Sequence, residues 1–381
     1  MVPKGWTLLQ VSDICKLQNG NSFKPHEWDT QGLPIIRIQN LNGSDNYNYF
    51  SGVPQDKWLV EPGQLLFSWA GTKGVSFGPF IWNGPKGVLN QHIYKVFANE
   101  NVHGHWLYLA LLHITQKIEA QAHGFKSTLL HVQKKDIDNQ FVLTPPVAEQ
   151  KKIAQILSTW DKAISVTETL LANSKQQKKA LMQQLLTGKK RLLDENGVRF
   201  IKKWKKTTLG DIAKITTGSS NRQDSTLDGK YTFFDRSEDI RTSSIYLFDG
   251  EAIIVPGEGQ RFEPKYFIGK FDLHQRTYAI MDFASHSGRF LFYMIDYLKV
   301  YFLNQAVGST VKSLRLPMFQ KMTFEAPEIE EQQKIAAVLS AADAEISTLE
   351  KKLACLKGEK KALMQQLLTG KRRVVVDVDA A

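Results

Sequence analysis

The sequence predicts an α+β chain written twice: two mixed α/β domains in tandem, each followed by a long helix, the two helices forming an antiparallel coiled coil with pseudo-twofold symmetry. Three observations predict it. Residues 149–191 return at 331–373 without a gap, at a constant offset of 182, with 27 of the 43 positions identical and an unbroken run from Lys178 to Lys189 against Lys360 to Lys371. Within each copy, apolar residues recur at alternating steps of four and three, the period that keeps one seam of a helix facing a partner helix. The pattern that opens the chain, Trp6, Asp13-Ile14 and Gly20, returns at Trp204, Asp211-Ile212 and Gly218, at an offset of 198.

The first domain, residues 1–146, has β-like runs at Leu33-Pro34-Ile35-Ile36-Arg37-Ile38 and Gln64-Leu65-Leu66-Phe67-Ser68-Trp69, separated by turn-rich loops. A helix is expected from Val102 to about Ala122, where Trp106, Leu107, Leu109, Ala110, Leu111, Ile114 and Ile118 recur at helical spacing. Thr144-Pro145-Pro146 then stops a strand and launches the first long helix, since proline's fixed φ suits a first helical turn.

That helix, 147–190, carries the seam Ile153, Leu157, Trp160, Ile164, Thr167, Leu171, Ser174, Leu181 and Leu185, with a charged break at Lys178. The second, 329–373, carries Ile335, Leu339, Ala342, Ile346, Leu349, Leu353, Leu356, Leu363 and Leu367, broken at the equivalent Lys360. Gly188 and Gly370 suit the left-handed cap after a helix, and Lys189-Lys190-Arg191 and Lys371-Arg372-Arg373 suit the negative end of the helix dipole. About 36 helical residues make a rod of roughly 54 Å.

Between the helices lie a charged linker, 191–203, and the second domain, 204–328; a tail, 374–381, ends the chain. In the second domain Ala252-Ile253-Ile254-Val255-Pro256-Gly257 loosely matches Leu59-Val60-Glu61-Pro62-Gly63-Gln64, and a helix is expected over Ser287 to Leu303. Gly308-Ser309-Thr310-Val311-Lys312-Ser313 sits where Gly124-Phe125-Lys126-Ser127-Thr128 sits in the first half. The distance from Trp to the repeated Glu-Gln differs between halves while the helices stay nearly constant. Constant rods with variable heads suit a caliper that reads two different things a set distance apart.

The formal charge is +11 at pH 7. The two helical repeats hold +10 of it, nine Lys/Arg against three Asp/Glu in the first and nine against five in the second. A polyanion-binding face on the nearly neutral domains must therefore be a local concentration of basic groups. No apolar run reaches the roughly 18 residues of a membrane span, the start is no signal peptide, and Cys15 and Cys355 lie far apart, so a reducing cytoplasmic location without a membrane is expected.

These motifs resemble the specificity subunits of type I restriction–modification enzymes. The resemblance is carried by the Trp6/Leu8/Asp13/Ile14 and Trp204/Leu209/Gly210/Asp211/Ile212 openings, by Pro145-Pro146 with Glu149-Gln150 and Ile153, by Pro327 with Glu331-Gln332 and Ile335, and by the helix ending Leu-Met-Gln-Gln-Leu-Leu-Thr-Gly-Lys at both sites. It implies two target-recognition domains, each reading one half of a bipartite double-stranded DNA site. The helices would set the spacer and dock two methyltransferase subunits, to which a restriction subunit with translocase activity can add. S-adenosylmethionine and ATP would belong to those partners, and this chain would hold no cofactor, no catalytic residue and no metal. The motifs agree: Thr144-Pro145-Pro146-Val147 is no adenine-methylation motif, Gly-Lys at 188, 229, 269 and 370 is never followed by Ser or Thr, and His103-Gly104-His105 has no evident third ligand. The alternative reading is a structural protein whose coiled coil joins two ligand-binding domains that do not act on DNA.

Base edges are read by side chains with fixed hydrogen-bond geometry, and phosphates by Lys and Arg. In the first domain the expected contacts are Arg37, Gln39, Asn40, Asn42 and Tyr47 in and before an Asn-rich loop, Asn21, Ser22 and Lys24 after the Gly20 turn, Trp69 with Lys73, and Lys126. In the second they are Ser220, Asn221 and Arg222 after Gly218, with Arg236, Arg241, Arg261, Arg289, Lys312 and Arg315.

Overall fold

The computed structural model describes residues 2–121, 129–237 and 239–376. The chain divides into two units, Met1–Val166 with Leu353–Ala381, and Thr167–Lys352, so that the division falls inside both long helices.

In the first unit, strand Thr7–Gln10 pairs antiparallel with Phe141–Thr144. Cys15–Asn19, Ile93–Ala98, Leu65–Ser68 and Gly78–Ile81 form one four-stranded sheet in that order, and Asn48–Phe50, Leu33–Ile36, Gly87–Leu89 and Leu59–Val60 form another. Helix Gly104–Gln121 fits the expected span. Its Trp106, Leu107 and Leu111 join Val11, Ile14 and Phe67 in the core, together with Ile153 and Leu157 of one long helix and Met364 and Leu367 of the other.

The second unit repeats this plan with fewer interruptions. Lys205–Thr208 pairs with Thr323–Ala326, and six strands run in the order Lys214–Thr217, Thr277–Met281, Phe248–Pro256, Lys265–Leu273, Tyr231–Phe234, Arg241–Ser243. One strand, Phe248–Pro256, takes the places that Leu59–Val60 and Leu65–Ser68 hold in the first unit. The match of residues 252–257 to 59–64 is therefore corrected: Ile253 to Pro256 pair with Thr277–Met281 as Leu66 to Ser68 pair with Ile93–Ala98. Lys265–Leu273 likewise runs unbroken where residues 82–86 separate two strands of the first unit. The second head is shorter mainly because its strand links are, with 235–240 in place of 37–47 and 244–247 in place of 51–58, and these fusions add a few residues more. The helix expected over 287–303 is two, Gly288–Tyr297 and Lys299–Gln305, meeting at Leu298. Phe290, Tyr293 and Phe302 from them pack with Leu185, Leu186, Ile335 and Leu339.

The long helices run Val147–Leu185 and Ile329–Leu368. In the first unit Asp161 pairs with Lys360, and Glu149 with Arg373 just past the second helix at 2.5 Å. In the second unit Lys178 pairs with Asp343 at 2.6 Å and Lys175 with Glu350 at 2.7 Å. Residue numbers rise along one helix as they fall along the other, so the pairing is antiparallel in each unit. Every seam position named from the sequence, Lys178 and Lys360 included, is buried or half-buried, and from Ile346 to Leu356 the seam alone escapes full exposure on the second helix. Gly188 and Gly370 both take φ of 67°, and Lys190 and Arg372 bond back to the carbonyls of Gln184 and Gln366, which closes each helix as expected.

The repeated Glu-Gln acquires a physical meaning here. Gln150 Nε2 donates to the Pro145 carbonyl and its Oε1 accepts from the His103 amide, while Gln332 does the same with Pro327 and Ser287. Each fully buried amide thus pins the start of a long helix to the start of a helix in its own head. Each glutamate accepts two hydrogen bonds from an arginine, Arg373 on Glu149 and Arg191 on Glu331, and those guanidiniums stand over the Trp6 and Trp204 rings at 5.5 and 5.8 Å.

Candidate nucleic-acid interface

In the second unit, the turn after Gly218 is held tight against the sheet. A Cβ on Gly218 would lie 1.7 Å from the Leu273 carbonyl oxygen, and one on Gly20 would lie 2.2 Å from that of Asn90, so both turns exclude any side chain there. Ser220 follows, buried, with its hydroxyl donating to Asp272 at 2.6 Å. Asn221 is exposed and accepts from Gln275 at 2.8 Å. The turn is thereby tied to His274-Gln275-Arg276, the link between two strands.

Around that link the structure gathers four arginines on two carboxylates. The Nε atoms of Arg222 and Arg241 each lie 3.8 Å from Asp235, whose side chain is 3% exposed. Arg236 and Arg276 lie 3.3 and 2.6 Å from the two oxygens of Glu258, which is 14% exposed. Burial alone would raise the Asp235 carboxyl, but hydrogen bonds from the Ser237 hydroxyl and amide, with Arg222 and Arg241 beside it, hold it below the usual carboxylate range. Burial, reinforced by Arg236 and Arg276, pushes His274 below its ordinary value despite Asp235 nearby, so its ring is neutral at pH 7. Gly259 pairs with Lys312, whose exposed ammonium donates to the Leu303 carbonyl, placing Lys312 next to this group. Arg261 and Arg315 are exposed on flanking loops.

Arg289 belongs elsewhere. Its guanidinium is stacked 3.7 Å from the centroid of Tyr266, whose hydroxyl donates to Glu251, and it lies in the first turn of the helix that leans on the second long helix. Ser220 is likewise a buried support of the turn, where the sequence pointed to a contact.

In the first unit the Asn-rich loop is a compact structure of its own. Ile38, expected to end the strand, instead opens a short helix, Ile38–Leu41, because Asn40 accepts from the Arg37 amide and so caps it. Asn40 is 5% exposed and spends its amide on the Ser44 and Asn46 carbonyls, which makes it the loop's scaffold. Arg37 stands 5.1 Å over Trp28 and donates to Asn48 at 2.8 Å; Gln39 donates to the Asn46 carbonyl, Asn42 is exposed, and Tyr47 is half-buried beside Tyr49.

The second group forms around residues 89–92. Asn21 bonds to the Leu89 carbonyl and bridges to Asn90, with Ser22 half-buried and Lys24 exposed next to it. Trp69 donates to the Gln91 carbonyl and packs its ring on His92 at 5.0 Å and His131 at 5.7 Å. Lys73 is tied back to the Glu119 carbonyl at 2.8 Å. Lys126 lies outside the described residues.

Sequence reasoning missed the two strand links, Asn90-Gln91-His92 and His274-Gln275-Arg276. Each is the three residues that immediately precede an equivalent strand, and each bridges to the turn after Gly20 or Gly218. The glutamine shared by both links was the available signal. The heads then differ in kind: one surrounds its link with rings, the other with ion pairs. Among the described residues no group of three or more histidine, cysteine or carboxylate side chains is placed to hold a metal, and no helix is long and apolar enough to cross a membrane.

Comparison with known proteins places this arrangement. The family described as type I restriction modification DNA specificity domain matches the chain twice, over residues 3–175 and 201–357. The type I restriction enzyme MjaVIII specificity subunit of Methanocaldococcus jannaschii is 23% identical over 98% of this chain and 94% of its own length. The EcoBI specificity subunit of Escherichia coli is 27% identical over 54% of this chain, a match that spans 46% of that relative. Among solved structures, the type I restriction–modification S subunit from M. genitalium superposes with a TM-score of 0.64 at 15% identity, covering 96% of both chains. A chain from a structure concerned with assembly and conformational transition of the type I system gives 0.58 at 16% identity, over 98% of this chain and all of that one.

Proposed function

The chain belongs to the type I restriction–modification DNA specificity family, and from that membership we propose that it reads a bipartite double-stranded DNA site with its two heads and positions methyltransferase subunits over it. Direct contacts come from the Asn221–Arg222 turn, Arg236, Arg241, Arg261 and Lys312 in the second head, and from Arg37, Gln39, Asn42, the Asn21–Lys24 turn and Trp69 in the first. The observation that carries this reading is the pairing of unlike polar surfaces with like supports: the strand links are built from different chemistry, while the glutamate, glutamine and arginine that fasten each head are the same.

Two copies of the modification subunit dock on the long helices, and a restriction subunit joins them. Lys179, Ala180, Gln183 and Gln184 are exposed, as are their identical counterparts Lys361, Ala362, Gln365 and Gln366, so the seam does not account for their identity. A surface repeated in both copies suits two identical partners. S-adenosylmethionine and ATP are the cofactors of those partners in this reading, and the assembly works in the cytoplasm.

Two measurements test the proposal. Methylation-sensitive sequencing of the host genome is expected to report one motif with two defined parts and an unspecified spacer, lost when this chain is deleted. Weighing the complex with the cognate modification subunit is expected to give one specificity chain to two modification chains. A one-to-one complex overturns the two equivalent docks, and an unchanged methylome overturns the DNA reading in favour of a coiled coil that only joins two binding domains.

A further inference from the structure

We propose that Glu258 and Asp235 are positioning residues for sequence discrimination in the second head, holding arginines in the orientation that reads base edges; the inference rests on the DNA-reading function above. The physical difficulty is one of sign. A carboxylate facing a polyphosphate weakens binding, since each negative charge opposes the counterion release that drives association. Two carboxylates in the midst of four arginines are therefore costly for affinity alone.

They are well placed for a different purpose. An unrestrained arginine samples many rotamers, and reading a base requires a fixed planar fork presented to two acceptors. Glu258 bridges Arg276 on one oxygen and Arg236 on the other. Its backbone is in turn fixed, because Glu258 pairs with Ser313 and the adjoining Gly257 amide bonds to the Arg276 carbonyl. Asp235 is fixed by two hydrogen bonds from Ser237 before either arginine approaches. At 54% to 60% side-chain exposure, Arg222, Arg236 and Arg276 keep much of their surface open; Glu258 holds Arg236 and Arg276 by hydrogen bonds, and Asp235 faces Arg222 as an opposite charge at 3.8 Å. The carboxylates act through the arginines and do not themselves touch DNA.

The test uses the full chain with its cognate modification subunit and a library of duplexes with randomised bases, read by sequencing the bound fraction, alongside binding to poly(dI·dC). Glu258→Gln removes charge and keeps shape, so it is expected to raise affinity for poly(dI·dC) by a few-fold, in line with the charge gained. It is also expected to lower enrichment at second-half-site positions by about tenfold, the range set by a single bidentate arginine–base pair, and to leave the first half-site intact. Glu258→Asp retains the charge but is too short to bridge both arginines, and is expected to leave poly(dI·dC) binding unchanged with intermediate discrimination. Equal discrimination by the wild type and both variants overturns the inference, as does parallel loss at both half-sites, which would make Glu258 a support of the fold. A wild-type complex that enriches no motif at all instead overturns the DNA reading on which the inference stands.

Discussion

Lys178 donates to Asp343 at 2.6 Å from the charged position in the seam of the first long helix, and Lys360 makes the same pair with Asp161 in the other unit. In the second unit the Tyr293 hydroxyl also donates to Asp343 at 2.6 Å, so the pair is joined to the head. Two identical lysines at matching seam positions would face each other if the helices ran parallel and in step; antiparallel, each meets an aspartate. A polar seam residue of this kind selects orientation and register at some cost in stability. Asp343→Ala leaves Lys178, 20% exposed, facing an apolar seam, and is expected to destabilise the chain by about 1 kcal/mol. Lys178→Leu is expected to be neutral or stabilising, because an apolar residue completes the seam. Urea midpoints at unchanged slope would show it; equal losses from both changes would contradict it.

Arg191 and Glu331 form a bidentate fastening in the second unit. Glu331 is 1% exposed and accepts from Nε and Nη2 at 2.7 and 2.6 Å, and these bonds raise the already high value of Arg191. Glu331→Ala is expected to cost roughly 2 kcal/mol, the scale of hydrogen bonds to charged groups. Glu331→Asp, one methylene short of the bidentate geometry, is expected to recover part of it. Glu149 and Arg373 hold the corresponding place, so Glu149→Ala should destabilise in the same sense. Thermal unfolding of each variant is the check.

Much of this arrangement was legible because its causes are local and written twice. The seam, the caps at Gly188 and Gly370, and the proline entry to each helix follow from spacing and backbone sterics. The heads were legible only in outline. Asn40 reads as a base-contacting amide in an Asn-rich loop, and only the fold reveals that its hydrogen bonds are consumed inside the loop. Arg289 reads like the other arginines until Tyr266, 23 residues earlier, claims it. Asp235 and Glu258 escaped notice because charge counting treats a carboxylate as a subtraction, whereas ion pairing between distant strands makes it a support. What sequence periodicity cannot carry is the long-range pairing that decides which side of a strand link meets which turn.

The two cysteines should behave differently towards a thiol reagent. Burial pushes the Cys15 thiol up to about 12, with Asp138 adding to the effect, while Cys355 is exposed on the second long helix, where a hydrogen bond to Glu359 also raises its thiol but leaves it accessible. The thiolate is the reactive form, so a buried thiol with so high a value is inert at pH 8. One equivalent of label is expected on the folded chain, at Cys355, and two after denaturation. Cys355→Ser should remove the fast label and leave unfolding unchanged.

Acid should weaken the first unit through its histidines. His113 lies half-buried with neither ring nitrogen partnered among the described residues, and burial, with Lys117 nearby, holds it below the ordinary 6.5; His105 and His92 are lowered by burial in the same way. A histidine whose folded value is depressed takes up its proton more readily in the unfolded chain. Stability is therefore fully present above about pH 6.5 and lost as pH falls towards the folded value. His113→Leu is expected to flatten the decline in unfolding midpoint between pH 7 and 5, and an unaltered slope would assign the acid sensitivity to other groups.

Arg222 offers the direct functional test, because it stands on the turn that Gly218 forces against the sheet and its guanidinium is 56% exposed. Arg222→Ala removes one side chain without opening the core. If it reads a base, the loss is about 1–3 kcal/mol at one position of one half-site, with other sequences bound as before. If it holds a phosphate, binding falls on every sequence and the salt dependence shrinks by about one ion. Arg261→Ala, on a neighbouring exposed loop, is expected to affect the same half-site only. Enrichment from randomised duplexes at two salt concentrations separates these cases, and a change confined to the opposite half-site would break the assignment of one head to one half-site.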